Sequence, residues 1–294
     1  AQVLVCSRGI IGRPLPRARS EPGMRAAAAQ RAADATALQH AAQAILTTDT
    51  RIKVSTRAWR GPAEDYRLTG FAKGAAMIGP NLATMLAFLL TDAPLTPQDL
   101  TTALRSAVDR SFNCISVDGH TSTNDTVLAL ANGGGPPLAG EPQAEFQRLL
   151  TEVCTELARA IAADAEGAQH LVVIEVEGLR DDLEARRVAK AVADSPLVKT
   201  AIFGADPNWG RIVSAAGYAG VAFEEAHLSL WLGDHLLYHQ GQPQAFDPAE
   251  ASAYLRHQRE VRLRLSFPLG LGRCTFYTSD LTYDYVRLNA EYTT

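Results

Sequence analysis

Between residues 143 and 163 the side chains Phe146, Leu150, Val153, Leu157 and Ile161 recur every three or four positions, the spacing of one helix face. A helix of that length with one apolar stripe must bury the stripe against another layer of structure. An apolar run at 170–176 follows, and then a second helical pattern over 181–194 that stops at Pro196. Strand and helix in direct alternation beside a long amphipathic helix predict an α/β fold, with mixed sheets packed against helices.

The rest of the chain extends that reading. Residues 2–6 predict a short buried strand, and an alanine-rich stretch at 24–45 predicts one helix. Alternation over 51–71 predicts two strands around a turn at Gly61 and Pro62. The segment 73–81 reads as glycine-punctuated loop, and the apolar run 82–90 as a buried strand. Thr96, Pro97 and Asp99 form a helix start, with Leu100, Leu104 and Val108 as its stripe. Strands are predicted at 113–118, 127–131, 198–203 and 260–266, a hairpin turn at Gly233 and Asp234, and a helix near 248–258. The Gly/Pro-rich stretch 132–142 is the best internal boundary.

Composition narrows the function class. Twenty-eight basic residues against thirty-two acidic ones leave a net charge of −4, so no basic field for nucleic acid or anionic lipid is present. No apolar run approaches the roughly 20 residues that span a bilayer. Cys6, Cys114, Cys154 and Cys274 form no C-x-x-C pair and fit no zinc spacing. They read as buried free thiols of a cytoplasmic protein. His235 and His239 have the i, i+4 spacing that binds zinc on a helix, but they lie about a hairpin turn and lack the accompanying Glu. No metal and no cofactor are expected. The polar run Thr121-Ser-Thr-Asn-Asp-Thr126 and the loop Asn208-Trp-Gly-Arg211 each fit either a structural turn or a site. Composition does not single out Thr84, since one threonine in an apolar strand is ordinarily a β-former.

What singles it out is its surroundings. Lys73-Gly-Ala-Ala-Met-Ile-Gly-Pro-Asn-Leu-Ala-Thr84-Met-Leu resembles the self-cleavage segment of the ornithine acetyltransferase (glutamate N-acetyltransferase) family of arginine biosynthesis. Further stretches resemble family signatures: Thr47-Thr-Asp-Thr50, Ser116-Val-Asp-Gly-His-Thr-Ser-Thr-Asn-Asp-Thr126, Glu166-Gly-Ala168, Asp206-Pro-Asn-Trp-Gly-Arg211 and the end from Asp280 to Thr294. They occur in family order over essentially the whole chain.

The resemblance implies a precursor that cuts itself between Ala83 and Thr84. Residues 1–83 would be the C-terminal part of the first subunit and 84–294 the second, held together in an ornithine acetyltransferase-like fold. Two copies of each piece would make a heterotetramer. Cutting frees an α-amine beside the Thr84 hydroxyl, and an α-amine with a pKa near ~8 can serve as a general base near neutrality. Hydroxyl and amine together form a self-contained nucleophile and base. Thr84 would take acetyl from N-acetylornithine and pass it to glutamate, with acetyl-CoA open as a further donor. By the same resemblance, Thr47, Lys73, Thr84, Glu166, Asn289 and Thr294 bind substrate. Lys73 suits a substrate carboxylate and Glu166 a substrate ammonium.

Three features depart from the family pattern. The oxyanion-hole pair is Thr-Gly in the family, whereas Arg8-Gly9 stands here. Gly9 retains a backbone N–H, but the loss of one oxyanion donor costs about 10²–10³ in rate elsewhere. His120 occupies a position where the family usually has Asp. The chain begins at Ala1 without Met, as if an N-terminal part of the first subunit were lacking. Two competing readings are an amidohydrolase with the same N-terminal nucleophile and an impaired family remnant that acts only as a scaffold.

Overall fold

The computed structural model describes residues 4–7, 12–62, 64–79 and 85–291. Two helices, α1 (Arg17–Ala29) and α2 (Ala35–Ala44), stand where one was expected. The break falls where Asp34 caps α2 by accepting the Ala37 N–H at 2.8 Å, so a new helix starts rather than the old one continuing. Residues 4–7 form no strand, and Leu4 and Val5 are exposed by 57% and 82%.

The first sheet has the order β1 (Lys53–Arg60), β2 (Asp65–Lys73), β3 (Leu86–Thr91), β4 (Thr126–Ala131). The first three strands are antiparallel, and β4 runs parallel to β3. The hairpin expected over 51–71 closes through the Gly61 N–H donating to the Glu64 carbonyl at 2.9 Å. Helix α3 (Pro97–Asp109) starts as expected, with Thr96 accepting the Asp99 N–H. Its most buried residues are Ala103 and Ala107, while Leu100, Leu104 and Val108 flank that line. Helix α4 (Glu141–Ala163) buries all five residues of the expected stripe. It lies so close to β2 that a Cβ on Gly70 would meet Leu157, Leu89 and Val153 side-chain carbons at 2.8 Å.

The second sheet has the order β10 (Gly272–Ser279), β5 (Leu171–Leu179), β9 (Glu260–Ser266), β6 (Ser229–Leu232), β7 (His235–His239), β8 (Gln242–Pro243). Strand β5 divides two cores by its alternation. Leu171 and Val173 join Tyr277, α4 and the first sheet, whereas Val172, Ile174 and Val176 pack with α5 (Asp182–Asp194) on the other face. The layers are thus sheet, helices, sheet, helices. Helices α6 (Pro196–Phe203), α7 (Trp209–Gly217) and α8 (Pro248–His257) complete the second core, and α9 (Tyr283–Glu291) follows β10. No helix among the described residues is long and apolar enough to cross a membrane.

Several expectations change. Residues 198–203 are helix, because Ser195 caps α6 and Pro196 takes its first position rather than serving only as a stop. Residues 113–118 hold a single 3-10 turn (Phe112–Cys114) and one isolated bridge, Ile115 to Tyr277, rather than a strand. The 132–142 stretch separates no cores, since its Leu138 is buried with both Trp59 and Phe146. His235 and His239 both lie on β7, against the Tyr254 ring and the Ser229 hydroxyl respectively. All four cysteines are free; Cys114 and Cys154 are buried, while Cys6 and Cys274 are half-buried.

Candidate active site

Register fixes the centre of the site. Lys73, the last residue of β2, pairs with Leu86, the first of β3, and Leu86 pairs in turn with Thr126, the first of β4. Lys73 is 2% exposed. One end of the first sheet therefore carries Lys73, Met85 and Asp125 on three neighbouring chain segments.

The loop 74–79 after Lys73 is held from three sides. The Gly74 N–H donates to Asp49 Oδ1 at 2.7 Å. The Met77 and Ile78 N–H groups donate to the two oxygens of Asp118, at 2.8 and 3.0 Å. The Glu166 N–H donates to the Ala75 carbonyl at 2.9 Å. Met77 has φ +54°, a left-handed conformation that costs a non-glycine residue about 1–2 kcal/mol. Asp118 offsets that cost by binding both amides beside it.

Behind this loop lies a buried ion cluster. Lys53 Nζ sits 2.6 Å from Asp49 Oδ1 and 2.7 Å from Asp164 Oδ2, and all three side chains are 0–2% exposed. Burial pushes the Asp164 carboxyl up, but hydrogen bonds from Lys53 and Thr50 outweigh it and hold the group below the usual carboxylate range. Asp49 carries the effect forward, because the same Oδ1 receives both Lys53 and the Gly74 N–H. Thr47 is exposed and donates its N–H to Asp49 Oδ2 at 3.4 Å.

The polar run of 121–126 proves to be a connector. Asn124 Nδ2 donates to the Ser7 carbonyl and hydroxyl at 3.1 and 3.2 Å, and Asp125 Oδ1 accepts the Met85 N–H at 2.9 Å. The loop thus touches the residue before Arg8 and the residue after Thr84. His120 is exposed, with Nδ1 2.8 Å from the Asp118 carbonyl of its own loop. The other polar signature, at Asn208, is a helix cap: its side chain accepts the Arg211 N–H at 3.1 Å.

The C-terminal helix closes the fourth side. Thr282 donates its hydroxyl to the Gly167 carbonyl at 2.7 Å and accepts the Tyr285 N–H at 3.0 Å. Tyr285 reaches Asp118 Oδ2 at 3.3 Å, and Asn289 Nδ2 donates to Glu166 Oε2 at 3.3 Å. Asp280 anchors the approach to this helix by accepting the Gln169 and His170 N–H groups and pairing with the His170 ring at 2.7 Å. Gly167 has φ +66°, and a Cβ there would stand 2.5 Å from the Tyr285 nitrogen. Gly167→Ala is expected to release α9, read as faster amide exchange over Tyr283–Glu291 while exchange in both sheets stays unchanged. Unaltered exchange in α9 would show that the corner shifts to admit the methyl.

Of the residues singled out from sequence, Thr47, Glu166 and Asn289 join through these bonds into one neighbourhood around the loop 74–79, which Lys73 adjoins as the last residue of β2. Arg8, Gly9, Ala83, Thr84 and Thr294 lie outside the described residues. Asp49, Asp118, Asp125 and Tyr285 stood inside the quoted signatures without an assigned role. A sequence gives no sign of which distant amides a carboxylate will accept.

The ArgJ family model matches residues 1–294. The chain is 46% identical over 297 residues to the arginine biosynthesis bifunctional protein ArgJ of Geobacter sulfurreducens, covering 100% of this chain and 75% of that protein. It is 46% identical over 315 residues to the protein of the same name from Thermosynechococcus vestitus, covering 99% of this chain and 74% of that one. The crystal structure of the Bacillus halodurans arginine biosynthesis bifunctional protein ArgJ superposes with a TM-score of 0.67 at 40% identity, over 70% of this chain and 98% of that one.

Proposed function

The chain belongs to the ArgJ family, and on that premise we propose that it moves acetyl from N-acetylornithine to glutamate, giving ornithine and N-acetylglutamate. Acetyl-CoA is proposed as a second donor for the same acceptor, and the cytoplasm as the site of action. The precursor cuts itself between Ala83 and Thr84, and the pieces 1–83 and 84–294 stay together, two of each in a heterotetramer. Antiparallel pairing of β2 with β3 supports the two pieces staying together, because it joins them independently of the cut peptide bond. So do the bonds from Asp118 and Glu166 to the loop 74–79.

In the transfer, the Thr84 α-amine takes the hydroxyl proton as Oγ attacks the acetyl carbonyl. The proton then passes to the departing ornithine nitrogen, leaving an acetyl ester on Thr84. Glutamate repeats the sequence in reverse. Gly9 supplies an N–H to the oxyanion, with Arg8 beside it in place of the usual threonine. Lys73 takes the α-carboxylate that both amino acids share, Glu166 an ammonium, and Thr47, Asn289 and Thr294 supply hydrogen bonds. The observation that carries this reading is the register that sets buried Lys73 opposite Leu86, two residues from Thr84.

One pocket serving both amino acids requires ornithine to leave before glutamate attacks. Initial-rate lines at varied N-acetylornithine and several fixed glutamate concentrations are therefore expected to be parallel. Intersecting lines would indicate direct transfer in a ternary complex and would remove the covalent role from Thr84.

A further inference from the structure

Cys114 and Cys274 are 160 residues apart in sequence, yet their Sγ atoms stand 3.8 Å apart. Cys114 ends the 3-10 turn after α3, and Cys274 lies near the start of β10. Backbone pairing brings the two segments together: Ile115 bridges to Tyr277, and the Ser116 N–H donates to the Tyr277 carbonyl at 3.0 Å. Both cysteines line one cleft of about 670 Å³, together with Arg186 on α5, Asp182 and Arg273. A disulfide holds its sulfurs about 2.05 Å apart, so an approach of about 1.8 Å separates these thiols from a bond. The acetyl transfer proposed above uses neither of them.

We propose that Cys114 and Cys274 are a modification site: a dithiol that a hydroperoxide oxidises to a reversible disulfide. Cys114 reacts first. Its sulfur takes one oxygen of hydrogen peroxide as the O–O bond breaks, leaving a sulfenic acid and one water. The Cys274 sulfur then attacks the Cys114 sulfur; the S–S bond forms and the S–O bond breaks to release a second water. One thiol proton leaves on each water. Two electrons pass from the sulfur pair to the peroxide, and no further oxidant is needed. In a reducing compartment such a bond is a transient sensor rather than a permanent staple. It locks the pairing of Ile115 with Tyr277, at the start of the segment that reaches Asp118 and the loop 74–79.

The surroundings give the two thiols different roles. A hydrogen bond from Cys274 does most to lower the Cys114 pKa, and the Arg186 guanidinium lowers it further, against burial and the Asp109 charge. As a thiol, Cys114 donates to the Asp109 carbonyl at 3.3 Å, and ionisation gives up that bond. Cys274 is held above the ordinary thiol range by Cys114, by burial and by Asp182, against Arg186. It therefore keeps its proton while Cys114 ionises, and gives it up to the oxygen that leaves. Cys154 is the contrast within the same chain: it is fully buried, and burial pushes its thiol up to about 12.

The test treats the full chain with hydrogen peroxide under native conditions, alkylates the remaining thiols and digests the protein without reductant. Both cysteines lie within 84–294, so the outcome depends neither on self-cleavage nor on acetyl transfer. The expected result is a peptide pair joined through Cys114 and Cys274, with both thiols alkylated again after dithiothreitol. Cys154 is expected to stay unoxidised throughout. Cys274→Ser is expected to stop at the sulfenic acid, which dimedone traps on Cys114; no adduct there in the folded variant would overturn the order of attack. The deciding measurement is made on the unaltered chain, so a variant that fails to fold does not weaken it. Cys114 and Cys274 both open to alkylation after a peroxide treatment that fully oxidises free glutathione would overturn the proposal. So would a disulfide that engages Cys6 or Cys154, or oxidation of either thiol to sulfinic acid without a cross-link.

Discussion

Thr84→Ala is expected to leave the chain in one piece and to reduce acetyl transfer to background, a loss on the order of 10⁴–10⁶-fold. Both effects have one origin. In the proposed function, cutting requires the Thr84 hydroxyl to attack the Ala83 carbonyl, and transfer requires the same hydroxyl together with the amine that cutting creates. Alanine removes the first and thereby prevents the second. Thr84→Ser keeps the hydroxyl and is expected to retain part of each activity, because only the methyl that restricts the side chain is lost. A denaturing gel and a transfer assay on the same preparations check this. An intact chain that still transfers acetyl at the normal rate would contradict it.

The largest effect on stability is expected from Lys53→Met. Lys53 is the counter-ion of both Asp49 and Asp164, and its removal leaves two carboxylates buried without the ammonium between them. Breaking a buried pair by deleting one partner costs about 3–5 kcal/mol, or roughly 10 °C in melting temperature for a chain of this size. The pH dependence distinguishes this from simple loss of packing. Asp164 is held below its ordinary pKa in the folded protein, so its contribution is fully present above about pH 4 and disappears as pH falls through the depressed value. The gap between wild type and variant should therefore be widest at neutral pH and narrow on acidification. A gap independent of pH would assign the loss to packing. Because Asp49 also holds the Gly74 N–H, the variant should loosen the loop 74–79 as well.

The parts of the fold that were legible in the sequence are those where one local rule dominated. The α4 stripe, the capped start of α3, the β1–β2 alternation and the hairpin at Gly233 needed no distant partner to specify them. Strand β10 and helix α9 escaped because their patterns make sense only against what they cover, β5 in one case and the Glu166–Gly167 corner in the other. The segment 198–203 was misjudged for a different reason. Its apolar run is short enough to fit either a strand or a buried helix, and the Ser195–Pro196 cap decides between them. For the site, resemblance marked Lys73, Glu166 and Asn289, but it could not foresee how they are held. That work falls to Asp49, Asp118 and Asp125, whose partners are backbone amides 25 to 41 residues away.

The central claim is that acetyl resides on Thr84 between donor and acceptor. Intact-mass spectrometry of the protein incubated with N-acetylornithine alone tests it most directly. The expected result is two fragments, 1–83 and 84–294, with one acetyl group on the second fragment that disappears when glutamate is added. Two unmodified fragments, or an acetyl group that glutamate does not remove, would contradict it.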